Sequence, residues 1–466
     1  MASKSSCNRR HVRLLCVLLL LGLALMLIWG NLQQAHKLVH TPKSDGPKPQ
    51  GSPALHAAFQ LVNVEPSKIP RREDSPRTKD LQLLLKCRNR SLKFQRLQHG
   101  EFWLLQNLVI GRRSRHVGCA ESVTYTTNGD YTFFDNLETV VLRWRAPVSF
   151  AIHAPGYDLN ATLDAIRYVR NCLPGSEIIR DWATFHVYFS HQHMPDYVPH
   201  DEAEVLGVAP SCTQANGSPV PPPYTLVPRS ESYKARANLT YPINVGRNIA
   251  RQAANTHFIF ACDIELYPSL GFVDQFLDMV ASDHRVLALD PRQPRRVFPL
   301  PVFEVEAGVQ VPADKAELLT LYRNQQAQVF HWNLCRTCHM IPRQQEWLNQ
   351  TYSGDRLQLF SKTLRKNKFR AWEPFYVSDN TEPLFDERVS WEGRSNKRIQ
   401  NYAMCLLGYE YHVLSPAFLV HSPGIKKFTK SDSSRLKFAK EMTKFIKDKI
   451  EPEYRVLFGQ NSACTT

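Results

Sequence analysis

The sequence predicts an α/β fold, a sheet with helices on both faces. From about residue 120, short apolar runs alternate with stretches of helical periodicity. Runs such as VSFAIH and HFIFAC have the length and composition of buried strands, and no internal repeat is visible. Such alternation favours a layered sheet, whose ligands bind beyond the C-terminal ends of its strands.

The elements follow in order. Val148–His153 is strand-like. Asn160 to Asn171 has a capping residue and apolar spacings of three and four, so it reads as a helix. Ala183–Ser190 is a second strand candidate. Residues 192–232, rich in Pro, Gly, Ser and acids, read as a long loop. Asn244–Ala254 reads as a helix and His257–Cys262 as a buried strand. Near the C-terminus, Arg435–Ile450 places Leu436, Phe438, Ala439, Met442, Phe445 and Ile446 on one side and lysines on much of the rest. That pattern is a packing helix with a solvated basic face, or one drawn to anionic glycans or a membrane surface.

The 466 residues carry 58 Lys/Arg against 43 Asp/Glu, a formal net charge of +15. A hydrophobic fraction of 43% excludes a fully disordered or collagen-like chain. Much of the basic excess sits at the two ends, without zinc-finger spacing or an aromatic ribonucleoprotein signature. No nucleic-acid partner is expected.

Lys4, Arg9, Arg10 and Arg13 precede an uncharged run from Leu14 to about Leu32. That length suits a short membrane span, and the positive flank keeps the N-terminus cytoplasmic. A cleaved signal peptide is the alternative, but Trp29-Gly30-Asn31 is a poor cleavage site. Residues 33–80, with Pro42, Pro47, Pro49, Pro53, Pro66, Pro70 and Pro76, read as an extended stem. The expected division is a cytoplasmic tail (1–13), a transmembrane signal anchor (14–32), the stem (33–80) and a lumenal domain (81–466).

Sequons at Asn89, Asn160, Asn238 and Asn349 agree with a lumenal address; a fifth, at Asn216, is followed closely by Pro219. Nine cysteines lie beyond the apolar run, so several should pair in an oxidising lumen and at least one should not. Cys335-x-x-Cys338 reads as part of a disulfide rather than a zinc half-site or a redox pair.

Candidate chemistry lies in three stretches. Asp263-Ile264-Glu265 follows an apolar strand, and two carboxylates so spaced can face one hard divalent cation. Asn244, Arg247, Asn248 and Arg251 recur on one helix face, and guanidinium forks and amides suit phosphate, ribose and uracil. Trp372-Glu373-Pro374-Phe375-Tyr376-Val377, then Phe385-Asp386-Glu387-Arg388, then His421, combine aromatics and carboxylates as a sugar site requires.

The block YPINVGRNIARQAANTHFIFACDIE resembles the stretch leading into the metal-binding motif of the β-1,4-glucuronyltransferase and LARGE-type family (glycosyltransferase family 49). WEPFYV, FDER, Asn396-Lys-Arg398, FLVHSPG and LCRTC resemble later family blocks in the same order, over roughly residues 120–430. The resemblance implies a GT-A (Rossmann-like) glycosyltransferase domain and a type II Golgi membrane protein. It also implies inverting transfer from UDP-glucuronic acid to a glycan acceptor of the dystroglycan O-mannosyl type. Mn²⁺ would be held by Asp263, Glu265 and His421, and the donor by Asn244, Arg247, Asn248, Arg251 and Arg398. Glu265 stands where the family usually has Asp, and WEGRSNKR departs from the family's usual spacing.

Inversion in one displacement needs one general base on the acceptor hydroxyl. Asp386 is the first choice, then Glu387, then Glu373. Two other readings stay open: the same fold with UDP-GlcNAc or UDP-xylose, and an inactive lumenal binding protein. The acceptor, and whether the chain works as a homodimer or in a Golgi enzyme complex, stay open too.

Overall fold

The computed structural model describes residues 59–61, 75–350, 356–427, 433 and 435–466. The expected tail and membrane anchor lie outside the described residues, as does most of the stem. No helix among the described residues is long and apolar enough to cross a membrane.

A ten-stranded mixed sheet forms the centre. Four parallel strands run side by side within it, in the order Phe258–Ala261, Val123–Gly129, Val148–His153, Ala183–Ser190. The chain builds three of them in one direction and then returns to add Phe258–Ala261 on the other side of Val123–Gly129. This reversal is a topological switch point, where open α/β sheets leave a crevice for ligands. Asp263 emerges from Phe258–Ala261 at that edge.

Strand periodicity explains the two-faced core. Val148, Phe150 and Ile152 join a large core with helices Leu137–Trp144 and Asp158–Asn171. Ala151 points the other way, into a smaller cluster with Val245, Ile249 and Ala250 of helix Ile243–Ala253. That helix lies close to the sheet because Gly246 has no side chain. A Cβ there would stand 2.7 Å from the Tyr188 hydroxyl and 2.9 Å from Asn128 Cβ.

A four-stranded sheet, ordered Ala327–Val329, Val302–Val305, Leu419–His421, Leu266–Pro268, completes the site's frame. Its antiparallel register sets His421 opposite Leu266. It has its own core, containing Phe303, Trp347, Trp372 and Phe418.

The strands at 148–153 and 183–190 form over the expected residues. The helix expected at Asn160 begins at Asp158, and Asn160 is exposed within it. The Asp158 carboxylate accepts the Tyr233 and Lys234 amides, so it organises a distant loop. The expected loop 192–232 contains helices Glu202–Leu206 and Pro223–Leu226 and strand Val208–Pro210. Phe59–Leu61, assigned to the stem, pairs antiparallel with that strand. Backbone pairing needs no apolar run, which is why composition misses it. Helix Pro76–Leu85 crosses the expected boundary at 80/81, buries Leu81 and pairs Arg77 with Asp274 and Asp278.

Disulfides join Cys87–Cys119, Cys172–Cys212, Cys335–Cys338 and Cys405–Cys464, and Cys262 is free and buried. The C-terminal segment departs from expectation. Helix Leu436–Phe445 continues through a wider π turn, Ile446–Ile450, into helix Glu451–Phe458. Ile446 and Ile450 are buried and Met442 packs beside them, but Leu436 and Phe438 are exposed. The π turn changes the residues per turn, so no single stripe persists.

Candidate active site

Tyr125 builds the turn that carries the two acids. Its hydroxyl lies 2.7 Å from the Asp263 carbonyl and 2.8 Å from the Leu266 carbonyl. Asp263 Oδ1 accepts from Arg247 Nη2 at 2.8 Å and Oδ2 from Lys397 Nζ at 3.1 Å. Burial opposes ionisation of Asp263, but Lys397 and Arg247 outweigh it and hold the carboxyl well below the usual range.

Glu265 faces His421, with 3.6 Å between Oε2 and Nε2. The Ser422 amide bonds the Glu265 carbonyl at 2.7 Å, which ties the two strand ends together. His421 Nδ1 donates to the Ser422 carbonyl at 2.8 Å, so in the neutral ring the Nε2 lone pair points toward the Glu265 side. Burial raises the Glu265 pKa, but His421 and Lys426 outweigh that and lower it overall.

Two carboxylates and an imidazole are a donor set that suits a divalent cation. Glu265 and His421 already meet, and the longer Glu side chain keeps that contact. Asp263 is engaged by cations, and no group of three ligating side chains converges among the described residues. The donor chemistry fits a metal ion, with Asp263 held in reserve by Arg247 and Lys397.

The polar helix face bonds the loop opposite it. Asn244 Nδ2 donates to the Asp386 and Asn396 carbonyls. Asn248 bonds both backbone groups of Phe385 and donates to Glu387. Arg251 is fully buried against Glu382, Asn380 and the Pro383 carbonyl. Asn244, Asn248 and Arg251 thus tie loop 380–396 to the helix. Arg247 alone of the four reaches Asp263, steadied by Asn244 Oδ1 at 3.0 Å and Asn396 Oδ1 at 2.7 Å. Arg398 stands 3.4 Å from Glu373.

Asp386 is the first choice for a base. It is buried, clamped by the Arg388 guanidinium at 2.9 and 2.7 Å, and bonded by the Tyr454 hydroxyl at 3.2 Å. Glu387 is one-third exposed, with Asn248 at 2.8 Å and His99 Nε2 at 2.7 Å. Glu373 is less exposed.

Sequence reasoning missed Lys397, His99 and Tyr125. Lys397 lies inside the Asn396-Lys-Arg398 block, and nothing in its spacing distinguishes it from Arg398. His99, in an N-terminal hairpin, offered no signal.

Three buried polar atoms without a partner lie where strands Val123–Gly129 and Val148–His153 end: Asn128 Nδ2, Tyr131 OH and His153 Nδ1. Burial pushes His153 down to about 3, so its ring is neutral. Unmet buried donors and acceptors are costly unless a ligand or water satisfies them. The side-chain amides of all five sequon asparagines are on exposed residues.

Comparison with known proteins finds relatives among glycosyltransferases. The zebrafish (Danio rerio) protein named beta-1,4-glucuronyltransferase 1 is 29% identical over 316 residues, 66% of this chain and 67% of its own length. The human protein of that name is 28% identical over 204 residues, 43% of this chain and 44% of its own length, so that match spans less than half of the human protein. The zebrafish xylosyl- and glucuronyltransferase LARGE2s is 26% identical over 202 residues, 42% of this chain and 24% of its own length. The family model described as glycosyl-transferase for dystroglycan matches residues 122–459, a stretch that takes in the switch point, both acids, Lys397 and His421. The chain therefore belongs to this glycosyltransferase family, as an enzyme of the glucuronyltransferase-like kind.

Proposed function

We propose that the chain transfers glucuronic acid from UDP-glucuronic acid to a glycan acceptor of the dystroglycan O-mannosyl type, with inversion and with a divalent metal, Mn²⁺ first. The observation that carries this reading is a pair of neighbouring contacts beyond the end of strand Phe258–Ala261: Asp263 with Arg247 and Lys397, and, two residues on, Glu265 with His421. The unmet polar atoms at the neighbouring strand ends support a nucleotide there. The names of the relatives support the choice of sugar.

Asp263, Glu265 and His421 would hold the metal, which supplies Lewis-acid neutralisation of the departing diphosphate. Arg247, held by Asn244 and Asn396, adds fixed positive charge beside the phosphates, and Lys397 adds a second cation. Glu387 takes the proton of the acceptor hydroxyl, and Asn248 and His99 orient its carboxylate. In this reading the chain is a type II Golgi membrane protein anchored through 14–32, with N-glycans on Asn89, Asn160, Asn238 and Asn349.

One observation favours the inactive-binder alternative: both oxygens of Asp263 are engaged by cations. UDP release by the purified protein with Mn²⁺ and a panel of UDP sugars, with and without EDTA, separates the two. Turnover with UDP-glucuronic acid that EDTA abolishes supports the transferase. Turnover only with UDP-GlcNAc or UDP-xylose changes the donor. UDP binding without turnover favours the binder.

A further inference from the structure

We propose that Lys397 is a built-in competitor for the cation at Asp263. It neutralises Asp263 while no metal is bound, and it swings to the anionic donor when a metal takes that carboxylate. The proposal rests on the donor reading above and extends it to a residue that orders metal and donor binding.

Lys397 Nζ sits 3.1 Å from Asp263 Oδ2. An ammonium and a divalent ion cannot share that oxygen at low cost, because like charges at contact distance repel strongly in a half-buried site. One of the two cations on Asp263 must give way, and the structure decides which. Arg247 Nη1 is fixed by Asn244 and Asn396, and its guanidinium stacks 5.2 Å from the Phe385 ring centroid. Lys397 has its one ion pair, among the described residues, with Asp263, on a flexible four-carbon stem. Lys397 is therefore the mobile partner.

Its root is fixed, so only its tip has to move. Lys397 lies in the first turn of helix Asn396–Leu406, and both the Asn396 carbonyl and its side chain are bonded from helix Ile243–Ala253. The ammonium also rests over the Phe375 ring, 3.8 Å from the centroid. A ring face holds a cation without neutralising it. Lys397 thus keeps a seat beside the site after leaving Asp263, with its charge free for a phosphate or a sugar carboxylate.

The test is Mn²⁺ binding by the full-length protein, read from the electron paramagnetic resonance of free Mn²⁺. Wild type is compared with Lys397→Met, which keeps the stem without the charge, and with Lys397→Arg. Thermal unfolding checks each fold, and Lys397→Gln serves as a second neutral variant if Met destabilises the chain. Neutral variants are expected to bind Mn²⁺ at least about tenfold tighter than wild type. At saturating Mn²⁺ they should bind UDP-sugar more weakly. Lys397→Arg should stay near wild type. Equal or weaker Mn²⁺ binding by the neutral variants, or none in any protein, overturns the proposal. Failure of the transferase reading looks different: wild type turns over no UDP sugar, while the Mn²⁺ titrations still decide the role of Lys397.

Discussion

The Arg251 guanidinium lies 2.9 Å from the Glu382 carboxylate, and neither side chain is exposed. Removing one member of such a pair strands the other charge in the core. Arg251→Met or Glu382→Gln should therefore cost about 3–5 kcal/mol. Chemical denaturation checks this. A stable Arg251→Met protein with weakened UDP binding would instead return Arg251 to the donor site.

Asp263→Asn should lower UDP release by roughly 10³-fold, because it removes a charge that acts on the developing phosphate charge through a bound cation. Glu265→Asp shortens the reach toward His421 by one methylene. It should weaken Mn²⁺ binding if the existing contact is the ligand geometry, and Mn²⁺ titration reads this directly. Stronger binding and faster turnover in Glu265→Asp would show that Glu265 impairs the site.

Glu387→Gln should lower kcat by about 10²–10⁴ with an unchanged melting temperature, the signature of a lost general base. Asp386→Asn should do the reverse. It loosens the Arg388 and Tyr454 contacts, costing about 1–3 kcal/mol, and leaves the shape of the pH–rate profile intact. If Asp386→Asn alone flattens the acid-side limb of the profile, where a base loses its proton, the base assignment reverts to Asp386.

His99 bonds Glu387 at 2.7 Å, and that hydrogen bond raises the imidazole pKa against the opposing effect of burial. A pKa raised on folding contributes stability fully present below the unfolded value. That stability fades as the pH climbs through the folded value. Stability should fall as the pH rises above about 6.5, the ordinary His value. Denaturation midpoints across pH 5–9 for wild type and His99→Gln test it. The variant should lose this component of the slope.

The Cys405–Cys464 disulfide closes a loop of 59 residues and ties the C-terminus to helix Asn396–Leu406. Cys405→Ala/Cys464→Ala should cost about 4 kcal/mol by chain-entropy arithmetic. It should also loosen Tyr454 from Asp386, so activity should fall at a temperature where the wild type is stable. Parallel activity and unfolding curves check both effects.

Much was legible locally. Strands Val148–His153 and Ala183–Ser190 keep the bounds expected of them because burial on both faces leaves each a short, mostly apolar run. Asp263 and Glu265 stood out because an apolar strand ends in charge. The free Cys262 was implied by an odd cysteine count, although its identity was not.

The sequence by itself determined the layered α/β class, the pair of acids at a strand end and the block order that marks the family. Each is a property of a few adjacent residues, and local periodicity and composition report it. Only the tertiary structure decided how the polar groups are spent. Asn244, Asn248 and Arg251 share a helix face with Arg247, yet their partners come from residues 380–396, more than a hundred positions away. The same packing set Lys397 on Asp263, His421 beside Glu265 and Asp386 under Arg388. Hydrogen bonds and ion pairs act over about 3 Å, and spacing along a chain carries no record of which distant residue comes that close.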